Sequence, residues 1–221
     1  MLQENDWQAI SLTLQLAALT TVILLAIATP LSWWLAFTRK RWRHWIQALV
    51  AMPLVLPPTV LGFYLLIALG PQGFVGKTME FLGGRHLAFT FTGIVIGSVI
   101  YSLPFAVQPL TEAFRTMGRR PLFVAESLGA SKLDALWTVA LPMCRGGFIV
   151  AATLVFAHTL GEFGVILMIG GSIPGETQVL SVLIYDHTEA LNYTAAHKLS
   201  LGMIAVALVV LTIVYGRRRA Q

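Results

Sequence analysis

Residues 10–37 read ISLTLQLAALTTVILLAIATPLSWWLAF, without one charged side chain. A helix crosses the hydrocarbon core with about 20 mostly apolar residues, so this stretch is long enough to span a bilayer. In lipid each unpaired backbone group costs several kcal/mol, which makes such a segment a helix and not an open strand. Residues 45–69, 89–110, 146–169 and 199–215 have the same apolar character. The fold class this predicts is all-α: a polytopic membrane protein of about five transmembrane helices.

Composition agrees. Of 221 residues, 57% are hydrophobic and 11% charged, where soluble domains carry roughly a quarter charged. The helices and their connections account for the length, so the chain reads as a single transmembrane domain over residues 1–221 with no attached ATPase or enzyme domain. The net charge of +5 does not point to nucleic acid, because the basic residues lie in short runs between apolar stretches and form no single face. The opening MLQENDWQ lacks the basic start of a cleavable signal peptide, so the first apolar segment reads as a retained span. The lone Cys144 has no disulfide partner and reads as structural.

The basic residues set the orientation. Arg39, Lys40, Arg41 and Arg43 follow the first span; Arg115, Arg119, Arg120, Lys132 and Arg145 lie between the third and fourth; Arg217, Arg218 and Arg219 end the chain. The opposite connections hold Lys77, Arg85 and Lys198 among several acids. The expected topology is therefore N-terminus outside and C-terminus inside, with Trp33, Trp34, Trp42 and Trp45 at the inner interface.

Prolines recur inside the spans: Pro30, Pro53, Pro57, Pro58, Pro104 and Pro109. Each removes a backbone hydrogen bond and bends its helix. Such a bend is either a packing kink or a break lining a water-filled pathway, and PLVLPP, residues 53–58, is the strongest candidate for the second.

The inside connection 111–145 is the longest. Pro121 suits a first helical turn and Gly129 a stop; Ser131 with Asp134 forms a capping-box pattern for a second helix. Leu133, Leu136, Trp137 and Ala140 then share an apolar face, and Pro142 is expected to end it. This helix, glycine turn and helix resembles the EAA loop of ABC importer permeases, Glu-Ala-Ala, three residues, Gly, nine residues, an aliphatic, any residue, Leu-Pro. Ala125, Gly129, Val139, Leu141 and Pro142 fall on that spacing, while Phe123 and Val124 replace its Glu and first Ala, and Glu126 stands where many members have Arg. The resemblance implies a type I ABC importer permease architecture in which Ala125, Glu126, Ser127, Gly129, Ala130, Leu141 and Pro142 couple the spans to a partner ATPase. A basic loop that only orients the helices on the lipid surface is the competing reading.

Two further stretches, PLVLPPTVLGFYLL and HTLGEFGVILMIGGSIPGETQVLSVLIYD, are similar to the permease of molybdate ABC importers, with related segments in sulfate and tungstate permeases. That resemblance implies a bacterial inner-membrane homodimer with a pore between two copies, two ATP-binding subunits, and a periplasmic molybdate-binding protein. ATP and magnesium would belong to the ATPase, with no cofactor or metal on this chain. The sequence has no Gly-rich phosphate loop ending in Lys-Ser or Lys-Thr.

A pathway for a tetrahedral dianion calls for hydroxyl and N–H donors. Pro57, Pro58, Thr59, Ser98 and Ser102 are the pathway candidates, although membrane Ser and Thr also bond to their own helix. Glu162 is the acidic residue inside an expected span, a functional position by default. His158, four residues earlier, is its expected partner in a neutral or hydrogen-bonded arrangement that holds a gate. A membrane enzyme would need a His-Glu-x-x-His pair or facing haem histidines, and His44, His86, His187 and His197 all fall in connections. An anchor subunit of an enzyme complex remains as a reading of the spans alone, but leaves the Gly129 to Pro142 spacing unexplained.

Overall fold

A computed structural model of the chain describes residues 4–218, with side chains described to residue 212. All regular structure among the described residues is helical. Helix α1, Glu4–Phe37, starts earlier than its apolar stretch because Glu4 and Asp6 occupy its first turn, where carboxylates complement the helix dipole. Helix α5, Phe91–Met117, likewise outruns its expected end and keeps Pro104 and Pro109 inside it. Thr111 to Met117, Glu112 and Arg115 among them, thus belong to this helix.

The second span is interrupted. Helix α2, Arg43–Ala51, passes into a 3₁₀ turn Met52–Leu54, and helix α3 begins only at Pro58. Pro57 is extended at ψ 135°, the conformation that a following proline imposes. Helix α3, Pro58–Leu69, and α4, Phe74–Phe81, together make a stretch long and apolar enough to cross a membrane. Trp42, Trp45 and Leu49 lie exposed along α2.

The hairpin between α5 and the next span consists of α6, Arg120–Ser127, and α7, Lys132–Ala135. The latter runs through a π turn at Leu136–Ala140 into α8, Leu141–Met143. Pro142 does not end this helix as expected. Its missing N–H falls just after the π turn, where Leu141 N–H reaches back to the Leu136 carbonyl. The chain turns two residues after Pro142, at Cys144, through 71° into α9, Arg145–Gly161.

The fourth span is also two pieces. Helix α9 stops at Gly161, Glu162 is extended, and α10, Gly164–Gly170, resumes after Phe163. Glycines on both sides of Glu162 and Phe163 each cost about 1 kcal/mol in a helix interior, which favours a break there. Helix α11, Leu180–Glu189, is a short tucked helix that the apolar pattern did not separate from the connection. Helix α12, Tyr193–Arg218, closes the described chain; Arg219 lies outside it. Among the described residues, four helices are long and apolar enough to cross a membrane, and five if the bent pair from Lys132 to Gly161 is one span.

Helices α1, α5 and α9 form the core around Leu24, Ala28, Val107, Leu110, Phe114, Ala151 and Val155. Lipid tails are as apolar as Leu, so close packing and interhelical hydrogen bonds must hold the spans together. Fully buried Ala17, Ala28, Ala106 and Ala151 let backbones approach, and Ser32 on α1 donates to the Val107 carbonyl on α5 at 3.1 Å. Helix α10 packs against α3 and α5 in a second layer.

Candidate functional site

The two interruptions meet. A Cβ placed on Gly164, the first residue of α10, would stand 2.9 Å from the Pro58 Cβ at the head of α3. One turn on, a Cβ at Gly62 would reach Met168 at 2.7 Å. Glycine therefore permits the contact at both levels.

Beside this junction α5 presents Ser98 and Ser102, one turn apart and fully buried. Several membrane hydroxyls here bond back to their own helix, as Thr13, Thr21 and Thr29 do. Ser102 instead shares a 2.9 Å hydrogen bond with His158 Nδ1 and lies 3.4 Å from Thr159 Oγ1 on α9. The His158 ring stacks on Phe105, 4.2 Å between centroids, and Tyr101 lies tilted to it at 4.9 Å. Thr159, Tyr101 and Phe105 are members of this cluster that the sequence reading missed. The i, i+4 spacing of Tyr101 and Phe105 on α5 was the signal for the aromatic clasp.

Glu162 is 3% exposed. Since it lies outside the α-helix that carries His158, the expected i, i+4 pair is not formed, and His158 is held by Ser102 instead. Neither carboxyl oxygen of Glu162 nor the Ser98 hydroxyl has a hydrogen-bond partner among the described residues. The Glu162 backbone carbonyl accepts from Ser181 on α11 at 2.6 Å, which ties the break to the tucked helix. Thr59 and Pro57 are exposed at the start of α3, apart from the Ser102 and His158 cluster.

At the basic end, the hairpin turn has a complete backbone closure. Ala130 N–H bonds to the Ala125 carbonyl and Gly129 N–H to that of Glu126, both at 3.0 Å. This 6→1 and 5→2 pair is a Schellman motif, with Gly129 at φ +95° as its left-handed residue. Ser131 caps the second helix by accepting from Asp134 N–H at 3.2 Å. The inner face buries Leu122, Ala135 and Ala140 against Trp33, Phe37 and Met117. The outer face leaves Phe123, Val124, Leu128, Leu133 and Trp137 exposed with Glu126 and Ser127. Ala125, Glu126, Ser127, Gly129 and Ala130 thus share one turn, whereas Leu141 and Pro142 sit at the far end of the hairpin, and Leu141 packs on the span core.

At the opposite end, Gln178 donates to Ser172 and Asp186, each at 2.9 Å, and accepts from Asn5 at 3.1 Å. Ser172 also donates to Asp186. This network joins residues remote in sequence, which no local pattern foretells.

An apolar helical chain with two abutting breaks and a rigid basic hairpin has close likenesses. The family described as binding-protein-dependent transport system inner membrane component matches residues 28–217. The chain belongs to that family. As one of its permeases it is a multi-pass inner-membrane subunit, and ATP hydrolysis belongs to a separate subunit. The permease is 56% identical over 218 residues to the molybdenum transport system permease protein ModB of Azotobacter vinelandii, covering 99% of this chain and 96% of that one. It is 30% identical over 214 residues to ModB of Escherichia coli, covering 96% and 93%. A probable sulfate transport system permease protein of Chlorella vulgaris is also 30% identical, over 92% of this chain and 76% of its own. Among solved structures, a bacterial ABC transporter involved in alginate import superposes with TM-score 0.81 at 18% identity, over 99% of this chain and 80% of that one. The MetNI methionine ABC transporter does so with TM-score 0.74 at 15% identity, over 100% and 99%. These likenesses establish an ABC importer permease fold.

Proposed function

We propose that this permease is the channel-forming subunit through which an ATP-driven importer moves molybdate into the cell. The observation that carries the reading is the 56% identity along nearly the full length of both chains to a molybdenum transport permease. The chain acts as a single transmembrane domain, paired with a second copy of itself around a pore. Two ATP-binding subunits, holding ATP and magnesium, face its basic end, and a periplasmic molybdate-binding protein faces the other. The excess of Lys and Arg on the hairpin side supports a cytoplasmic assignment for that side.

In this reading the exposed face of α6, from Phe123 to Leu128, lies in a cleft of the ATPase. Burial of that apolar face supplies the docking energy, and Glu126 and Ser127 supply polar contacts. The Schellman turn makes the hairpin stiff, so movement of the ATPase passes through α7 and the π turn to the bend at Cys144 and on to α9. Helix α9 ends at Gly161, three residues before Gly164, so displacement of α9 acts at the junction of Gly164 with Pro58. Pro57, Pro58 and Thr59 border the pathway, while Ser98, Ser102, His158 and Glu162 hold the gate behind it. Donors suit passage of a tetrahedral dianion, since transit needs weak contacts that release readily.

Competition among labelled oxyanions for uptake, in cells carrying the permease with its ATPase and binding protein, tests the cargo. Molybdate should displace label far better than sulfate. Preferential displacement by sulfate would assign the chain to the sulfate permeases that it also resembles.

A further inference from the structure

A cavity of about 730 Å³ opens between the inner half of α1 and the hairpin. Its floor is Ala26, Thr29, Pro30, Trp33 and Phe37, and Leu122, Leu136 and Leu141 form the walls. From Ala26 to Phe37 is about 16 Å of helix at 1.5 Å per residue. That is about half of a roughly 30 Å hydrocarbon core, the depth of one leaflet. The groove therefore has the polarity and the length of a lipid acyl chain.

Its mouth is charged. Arg119, Lys132 and Glu126 border it. Arg119 donates through Nη2 to the Phe37 carbonyl at 2.6 Å and lies over the Phe37 ring at 5.4 Å, which fixes its guanidinium at the rim. Glu126 opposes an anion, but Arg119 and Lys132 outnumber it at the mouth, and Arg39, Lys40 and Arg41 stand in the loop that begins one residue after Phe37. Basic pockets on the cytoplasmic side of membrane proteins attract anionic headgroups.

We propose that the groove binds one anionic phospholipid of the cytoplasmic leaflet, with an acyl chain along α1 from Phe37 toward Ala26 and its phosphate at Arg119 and Lys132. A lipid so placed fills the space between α1 and the hairpin, adjoins the face assigned to the ATPase, with which the groove shares Phe123 and Glu126, and links hairpin position to the surrounding membrane. The site depends on the groove and its basic rim, and stands whichever oxyanion is carried.

Native mass spectrometry of the assembled transporter with phosphatidylglycerol and phosphatidylcholine of identical chains tests it. Phosphatidylglycerol should be retained in preference. Ala26→Trp, which fills the groove from an exposed position, should abolish its retention, and Lys132→Ala should weaken it about fivefold with no change for phosphatidylcholine. Lys132 is an exposed side chain, so that arm stands even if Ala26→Trp fails to insert. Equal retention of the two lipids by the unaltered transporter, or undiminished retention of phosphatidylglycerol in both variants, would overturn the proposal. So would protection of Ala26→Cys from a thiol reagent by the ATPase in lipid-depleted detergent, which would assign the groove to the ATPase.

Discussion

Gly164 lies directly against Pro58, with space for a hydrogen but not for a methyl group: a Cβ there would stand 2.9 Å from the proline Cβ. This contact joins two breaks more than a hundred residues apart in sequence.

Enlarging Gly164 should separate them. Gly164→Ala must displace α3 or α10 by several tenths of an ångström, and Gly164→Leu by more, at the cost of about 1–3 kcal/mol typical of overpacking. Uptake should fall stepwise from Gly to Ala to Leu while membrane insertion persists, as measured by labelled-molybdate uptake beside immunoblotting of membranes. Full uptake by Gly164→Leu would show that the junction does not move during transport.

Pro57 holds its extended conformation because Pro58 follows it. Replacing both with alanine lets α2 run on toward α3 and removes the break at Val55 to Pro57. The expected outcome is normal insertion with uptake reduced at least several-fold. Unaltered uptake would reduce these prolines to packing kinks.

Gly129 has open space around it, so its requirement is the backbone's and not a clash within the chain. At φ +95° a side chain costs about 1–2 kcal/mol. Asn tolerates this region better than Ala, so uptake and ATPase retention on co-purification should rank Gly, Asn, Ala, Arg. An equal effect of Asn and Ala would mean that turn conformation is not what couples the hairpin. Glu126→Lys probes the outer face without touching the turn, and its loss should be rescued by an opposite charge change on the ATPase.

Ser102 is the hydroxyl that holds His158. Ser102→Ala removes the partner of a partly buried ring nitrogen, a loss of about 0.5–1.5 kcal/mol. The thermal inactivation midpoint of purified transporter should drop, and Ser102→Thr should restore part of it. No change in the midpoint would show that another group satisfies the imidazole.

Topology can be read directly. Glu189 is exposed at the end of α11 and Arg41 in the basic loop after α1. In intact cells cysteine at Glu189 should react with an impermeant thiol reagent and cysteine at Arg41 should not, with buried Cys144 silent in both. The inverse pattern would place the hairpin outside and remove it from any cytoplasmic ATPase.

The sequence alone was enough for the helical membrane class, because a span must satisfy its own backbone and that demand writes itself as long apolar runs. It also located the hairpin turn, since Gly129, Pro121 and the cap at Ser131 act over a few residues and leave local marks. PLVLPP announced a break for the same reason. Tertiary packing decided the rest. The interruption after Gly161 follows a helix whose apolar pattern runs on through it, so residues 146–169 read as one span and Glu162 as the partner of His158. Once the break swings Glu162 off the helix, His158 is left to Ser102 on another span, and Glu162 is held through its carbonyl by Ser181. Neither those bonds nor the approach of Gly164 to Pro58 has a signature in either segment, because each depends on where two remote backbones come to rest. The groove between α1 and the hairpin is likewise built from residues as remote as Ala26, Arg119 and Phe148, which only packing brings together.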